Sequence, residues 1–158
     1  MTLGNQDAAM ELLAQNEESL SRLYQVYASR FPEHKELWAG LAGEEQNHAG
    51  WIHRFDEKVR AGQGINKNRF KAAAVRTFMN HTEEEIVKAK KPDYQSINAL
   101  SVAYYIEESL IERKYFEVFE GDSTELKKLL QDLAEATKTH AMKIKTAWDE
   151  EKKRRGIS

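Results

Sequence analysis

The chain has 158 residues, a formal net charge of -2 and no cysteine. Its length suits one domain around one core. The near-neutral charge points away from nucleic acid or an anionic membrane as a partner, and without cysteine no disulfide, thiolate metal site or thiol catalysis can be built from these residues. Two prolines and eight glycines are few, and the 32% of charged residues alternate with regularly spaced apolar ones. That is the composition and pattern of an all-α protein with solvated outer helix faces. The start, Met1-Thr2-Leu3-Gly4-Asn5-Gln6-Asp7, lacks the basic and apolar segments of a signal peptide, and no apolar run is long enough for a bilayer. A cytoplasmic protein that does not engage a membrane is expected.

Met10, Leu13, Glu17, Leu20, Tyr24, Tyr27 and Phe31 recur at steps of three and four and predict helix A over about 5–30. Pro32 suits a first helical position, with Glu33 and Glu36 adding negative charge to the next first turn. Helix B, about 32–61, then carries Trp38, Leu41, Glu45, His48, Ile52 and Phe55 in the same rhythm, weakening at Gly62-Gln63-Gly64. Residues of about 65–92 are too many for a simple loop. Helical signals at Phe70 to Phe78 and at Thr82-Glu83-Glu84-Glu85-Ile86 predict a crossover with one or two short helices.

Helix C, about 94–120, reads Ile97, Ser101, Tyr104, Glu108, Ile111, Tyr115 and Val118, and stops at Gly121. Asp122 and Glu125 form a capping pair for helix D, about 123–154, which runs through Leu126, Leu130, Leu133, Thr137, His140, Ile144 and Ala147. The closing Lys152-Lys153-Arg154-Arg155 reads as a frayed end that complements the helix dipole. Short turns make A antiparallel to B and C antiparallel to D, and a crossover that travels the bundle lets B and C run parallel. The fold expected is a single antiparallel ferritin-like four-helix bundle.

The two halves repeat. Glu17 to Glu108 is an offset of 91 residues, and His48 to His140 one of 92. On heptad labels Glu17, Glu45 and Glu108 fall on one core stripe, with His48 and His140 a turn further along their helices. A lone buried carboxylate costs several kcal/mol unless protonated, paired or bound to metal, so three on inward stripes call for a common partner. Glu45 and His48, three apart, share a helix face. Glu17 and Glu45 lie equally far from Phe31 and so at similar depth. The candidate metal ligands are therefore Glu17, Glu45, His48, Glu108 and His140. Mixed carboxylate and imidazole donors suit iron, manganese or zinc better than magnesium or calcium. Tyr24 and Tyr115 read equally as hydrogen-bond partners of ligating carboxylates or as core aromatics. His34, His53 and His81 lack such support and read as surface residues.

The segments Glu17-Glu18-Ser19-Leu20-Ser21-Arg22-Leu23-Tyr24 and Leu41-Ala42-Gly43-Glu44-Glu45-Gln46-Asn47-His48-Ala49 resemble the rubrerythrin-like branch of the ferritin-like, di-iron carboxylate superfamily. In the second half the same holds for Glu107-Glu108-Ser109-Leu110-Ile111-Glu112-Arg113-Lys114-Tyr115 and Leu133-Ala134-Glu135-Ala136-Thr137-Lys138-Thr139-His140-Ala141. The resemblance implies Glu, Glu-x-x-His, Glu and Glu-x-x-His around two iron ions. Thr137 stands where the second Glu-x-x-His has its glutamate, with Glu44 and Glu112 flanking the stripe as further carboxylates. One or two ions are thus both open.

The resemblance implies an oxidoreductase, either a peroxide reductase or a ferroxidase, that reacts with oxygen or peroxide and draws electrons from an external donor, since no cysteine is present for a rubredoxin-type iron. A non-catalytic scaffold with a degenerate or structural metal site, and an iron-storage protein, are the alternatives. Gly40, Gly43 and Gly50 on the outer face of helix B suggest close approach of the crossover or of a second subunit in a homodimer.

Overall fold

The computed structural model describes residues 5–60, 72–112 and 124–157, and among these every regular element is helical. Helix α1 spans Asn5–Arg30, α2 Lys35–Arg60, α3 Ala72–Ala89, α4 Ser96–Glu112 and α5 Thr124–Arg154, with a 3-10 turn at Pro32–His34. The expected turn between helices C and D lies outside the described residues, with Tyr115, Val118, Gly121 and Asp122. So do Gly62-Gln63-Gly64 and Phe70.

Helix α1 ends where the Phe31 amide donates back to the Tyr27 carbonyl at 2.8 Å. Pro32, which has no N–H to satisfy, opens the following turn, and the His34 amide donates to the Phe31 carbonyl. The reversal makes α1 and α2 antiparallel. Ser21 Oγ accordingly donates to the Ala42 carbonyl at 2.9 Å, while Glu18, lower on α1, meets His53, higher on α2.

Helix α3 runs alongside α1 in the same direction. Ser19 and Arg22 both donate to Glu83, the Tyr27 and Tyr94 hydroxyls lie 2.9 Å apart, and Arg30 clasps the Ala89 and Lys91 carbonyls at 2.7 and 2.9 Å. Helix α1 is therefore covered by α2, α3 and, through Tyr24, α4. Leu12, Leu13, Ala14, Asn16, Glu17, Ser19, Leu20, Ser21, Leu23, Tyr24 and Tyr27 are all buried, so its burial extends well beyond the stripe expected of a helix with one wet face.

The crossover signals merge into one 18-residue helix. Thr82 does not start a second one, because its hydroxyl donates back to the Phe78 carbonyl within a continuing helix. Nor does α3 approach the glycine face of α2: a Cβ added at Gly40 or Gly43 would meet nothing within 4 Å.

Helices α4 and α5 are antiparallel, with Tyr104 against Trp148 at one level and Glu107 against His140 at another. Glu44 and Glu45 of α2 meet His140, and Lys143 reaches Glu44, so α5 also runs antiparallel to α2. Hence α2 and α4 are parallel, as ferritin-like connectivity requires.

The chain end is held, not frayed. The Gly156 and Ile157 amides donate to the Lys153 and Lys152 carbonyls at 3.1 and 2.8 Å, with Gly156 at φ 71°, the left-handed conformation that closes a helix. Buried Glu151 binds Arg154 and Arg155, and Arg155 also reaches Gln95. His34, read from sequence as a surface residue, instead turns inward, its Nε2 at 3.5 Å from Glu151. No helix among the described residues is long and apolar enough to cross a membrane.

Candidate metal centre

Four helices converge on one layer of the bundle. Helix α1 supplies Glu17, α2 supplies Glu45 and His48, α4 supplies Glu107, and α5 supplies His140; each is at most 5% exposed. They form two triads, Glu17 with Glu45 and His48, and Glu45 with Glu107 and His140, with the potential ligand atoms of each within 4.8 Å of one another. Glu45 belongs to both, so it occupies the position of a bridge.

Of the residues singled out from sequence, Glu17, Glu45, His48 and His140 meet in this layer. Glu108 does not join them. It is half-buried and hydrogen-bonds Tyr104 on the flank of α4, while its neighbour Glu107 turns inward. One residue of helix is a rotation of about 100°, and the inward stripe of α4 is Ser96, Ala99, Leu100, Ala103, Ile106, Glu107 and Leu110. The expected stripe of Ile97, Ser101, Tyr104 and Glu108 is only half-buried. Two small alanines on the true stripe, beside the large Tyr104 and Tyr105, misdirect a reading by side-chain size. The signal that points to Glu107 is the repeated tetrapeptide Glu-Glu-Ser-Leu at 17–20 and 107–110, which sets Glu107 opposite Glu17.

Tyr24 donates to Glu107 Oε1 at 2.6 Å, and so resolves in favour of the hydrogen-bonding role. Its ring stacks on Trp38 with centroids 5.6 Å apart, and Trp38 meets Tyr27 edge-on at 4.8 Å, which fixes the tyrosine in position. On the opposite side Trp51 packs against His48 at 4.8 Å between ring centroids, and the His48 and His140 rings stack at 5.5 Å. Thr137 is buried, but its hydroxyl donates to the Leu133 carbonyl at 2.8 Å, one turn back along its own helix. It offers the centre no carboxylate at the point where the family pattern has a glutamate.

The electrostatics show what this packing costs without a cation. Burial, reinforced by nearby Glu45, pushes the Glu17 carboxyl well above the usual carboxylate range. Burial also raises Glu45, against the opposing effects of Glu17 and His140, and lowers His48, leaving its ring neutral at pH 7. Burial alone would also favour neutral His140, but the carboxylates of Glu107 and Glu45 outweigh it and hold its proton up to about 11. In the metal-free chain, then, an imidazolium at His140 offsets part of the buried negative charge, and burial favours the protonated form of Glu17.

The donor set fits a metal on two observations. Neutral His48 and three carboxylates are the deprotonated or readily deprotonated donors that iron, manganese and zinc take. His140 Nδ1 is buried 2.8 Å from Glu45 Oε1 and 3.6 Å from Glu107 Oε1, yet makes a hydrogen bond to neither. An ion between the three would use all of them.

A model of the rubrerythrin family matches residues 11–148, which includes every residue of both triads. No curated protein and no solved structure shows significant similarity to the chain.

Proposed function

The chain belongs to the rubrerythrin family, and from that premise we propose that it holds two iron ions, one in each triad, and uses them to reduce hydrogen peroxide. The observation that carries the reading is the pair of buried triads sharing Glu45, with the unaligned Nδ1 of His140 in the second. When bound, a ferrous pair supplies the two electrons that, with two protons, convert peroxide into two waters.

This chain's own residues set the terms. An ion would compete with the proton on His140 Nδ1 and with the burial that favours the protonated form of Glu17, so the centre would gain metal as it loses protons. Tyr24 keeps Glu107 aimed at its ion through a short hydrogen bond. Because every ligand is at most 5% exposed, the oxidant that enters is small, which suits peroxide or dioxygen and excludes bulky substrates. Turnover draws on a cytoplasmic electron donor outside these 158 residues, since they contain no cysteine to hold a rubredoxin-type iron. A homodimer through the open Gly40 and Gly43 face of α2 is part of the same proposal, and a monomer in sedimentation at high concentration would contradict that part.

Anaerobic loading with ferrous iron, desalting, and stopped-flow absorbance on mixing with peroxide or dioxygen tests the main reading. It expects retained iron and oxidation that is faster with peroxide. Failure to retain iron, or oxidation no faster than that of free ferrous ion, would overturn it.

A further inference from the structure

Glu44 of α2 belongs to neither triad, yet through His140 it sits directly on the centre's outer edge. His140 presents its two ring nitrogens to different groups: Nδ1 faces Glu45 and Glu107, while Nε2 donates a hydrogen bond to Glu44 Oε2. The other Glu44 oxygen lies 3.5 Å from Lys143 Nζ, one turn along α5 from His140. Glu44 is therefore tied to α5 at two points, although its side chain is 41% exposed and belongs to another helix.

The two ring nitrogens of an imidazole point away from each other, so Glu44 cannot share an ion bound at Nδ1. What it can do is accept a hydrogen bond from Nε2–H and thereby leave the Nδ1 lone pair aimed between Glu45 and Glu107. His48 is held differently, by packing against the Trp51 ring. Helix α5 contributes no carboxylate three residues before His140, because Thr137 is turned to the Leu133 carbonyl, so the orientation of His140 matters more to the second triad than that of His48 does to the first.

We propose that Glu44 is a positioning residue for the metal centre: by accepting a hydrogen bond from His140 Nε2–H across the α2–α5 interface it makes the Glu45, Glu107 and His140 triad competent to hold its ion. This rests on the two-ion reading above and adds that the two ions differ in their dependence on Glu44. Outer hydrogen-bond partners of ligating histidines are worth roughly 10- to 100-fold in metal affinity.

Cobalt(II) titration of the full chain, followed by its visible absorption, reads the two binding steps, and nitrogen-15 shifts of the His140 ring in the zinc-loaded protein read its tautomer. Glu44→Ala should weaken one step by about 10- to 100-fold, leave the other unchanged, and lose the single Nε2–H tautomer. Glu44→Gln, which keeps an acceptor oxygen, should recover most of the affinity and the tautomer; it also decides the matter if the alanine variant does not fold. Unchanged titrations and ring shifts in both variants, with two steps intact in the parent, would overturn the role of Glu44 alone. A parent chain that binds no cobalt would overturn the two-ion reading and this proposal with it.

Discussion

Helices α2 and α5 run in opposite directions and bring a histidine each to the same layer, but they differ three residues earlier. There α2 has Glu45, which faces both triads. At the corresponding point α5 has Thr137, whose hydroxyl is spent on its own helix. One carboxylate thus serves two places, and the second histidine gains support from across the interface, from Glu44. Two related hairpins therefore need not make two equivalent half-sites: under the two-ion proposal, Glu45 facing both triads and the hydrogen bond from Glu44 stand in for the carboxylate that α5 lacks.

The largest expected effect comes from breaking the shared element. Glu45→Gln removes a ligand from both triads, so metal content after anaerobic loading should fall for both ions. The loss should exceed the roughly 100-fold caused by removing a mere hydrogen-bond partner, while the metal-free chain keeps its helical circular dichroism. Next is the asymmetry within α4. Glu107→Gln should weaken only the ion nearest His140, whereas Glu108→Gln, on the half-buried flank, should change neither step of a calorimetric titration by more than about twofold.

The pH dependence follows from His140. Its proton is held up to about 11 in the folded chain against an ordinary 6.5, so between those values the folded state binds more protons than the unfolded one. The contribution is fully present below about pH 6.5 and is lost as pH rises toward 11. Glu17, raised by burial, acts with the same sign from a lower starting pH. Urea unfolding of the metal-free protein between pH 6 and 10 should show falling stability, less steep in His140→Gln. Added zinc should reverse the trend, because affinity rises as ligands lose protons.

The smallest effect belongs to Thr137→Val. It removes one hydrogen bond to a carbonyl that the helix already satisfies, so stability should change by about 1 kcal/mol or less, and both metal-binding steps should stay as they were. A clear loss of metal in that variant would mean that Thr137 takes part in the centre.

Much of the fold was legible because apolar spacing is strict where a helix has a single buried stripe. Trp38, Leu41, Glu45, His48, Ile52 and Phe55 of α2 are all buried, and the same rhythm led directly to Glu45 and His48. On α4 the stripe is marked by Ala99 and Ala103, whose small side chains give a faint signal, and the doublet Glu107-Glu108 offers two candidates separated by one step of helical rotation. Thr82 with its following glutamates has the letters of a helix start, but nothing local in the sequence tells a capping threonine from one bonded to the turn behind it. Glu44 was visible as a flanking carboxylate, while its role depends on where α5 lies, which is a tertiary fact.

On the two-ion proposal both ions share Glu45, with Glu107 and not Glu108 completing the second triad. Anomalous diffraction at the iron edge, on crystals of the anaerobically reconstituted protein, tests it most directly. Two iron peaks are expected flanking Glu45, one beside Glu17 and His48 and the other beside Glu107 and His140. A single peak, no peak, or a ligand bond from Glu108 would rule out a pair of ions sharing Glu45.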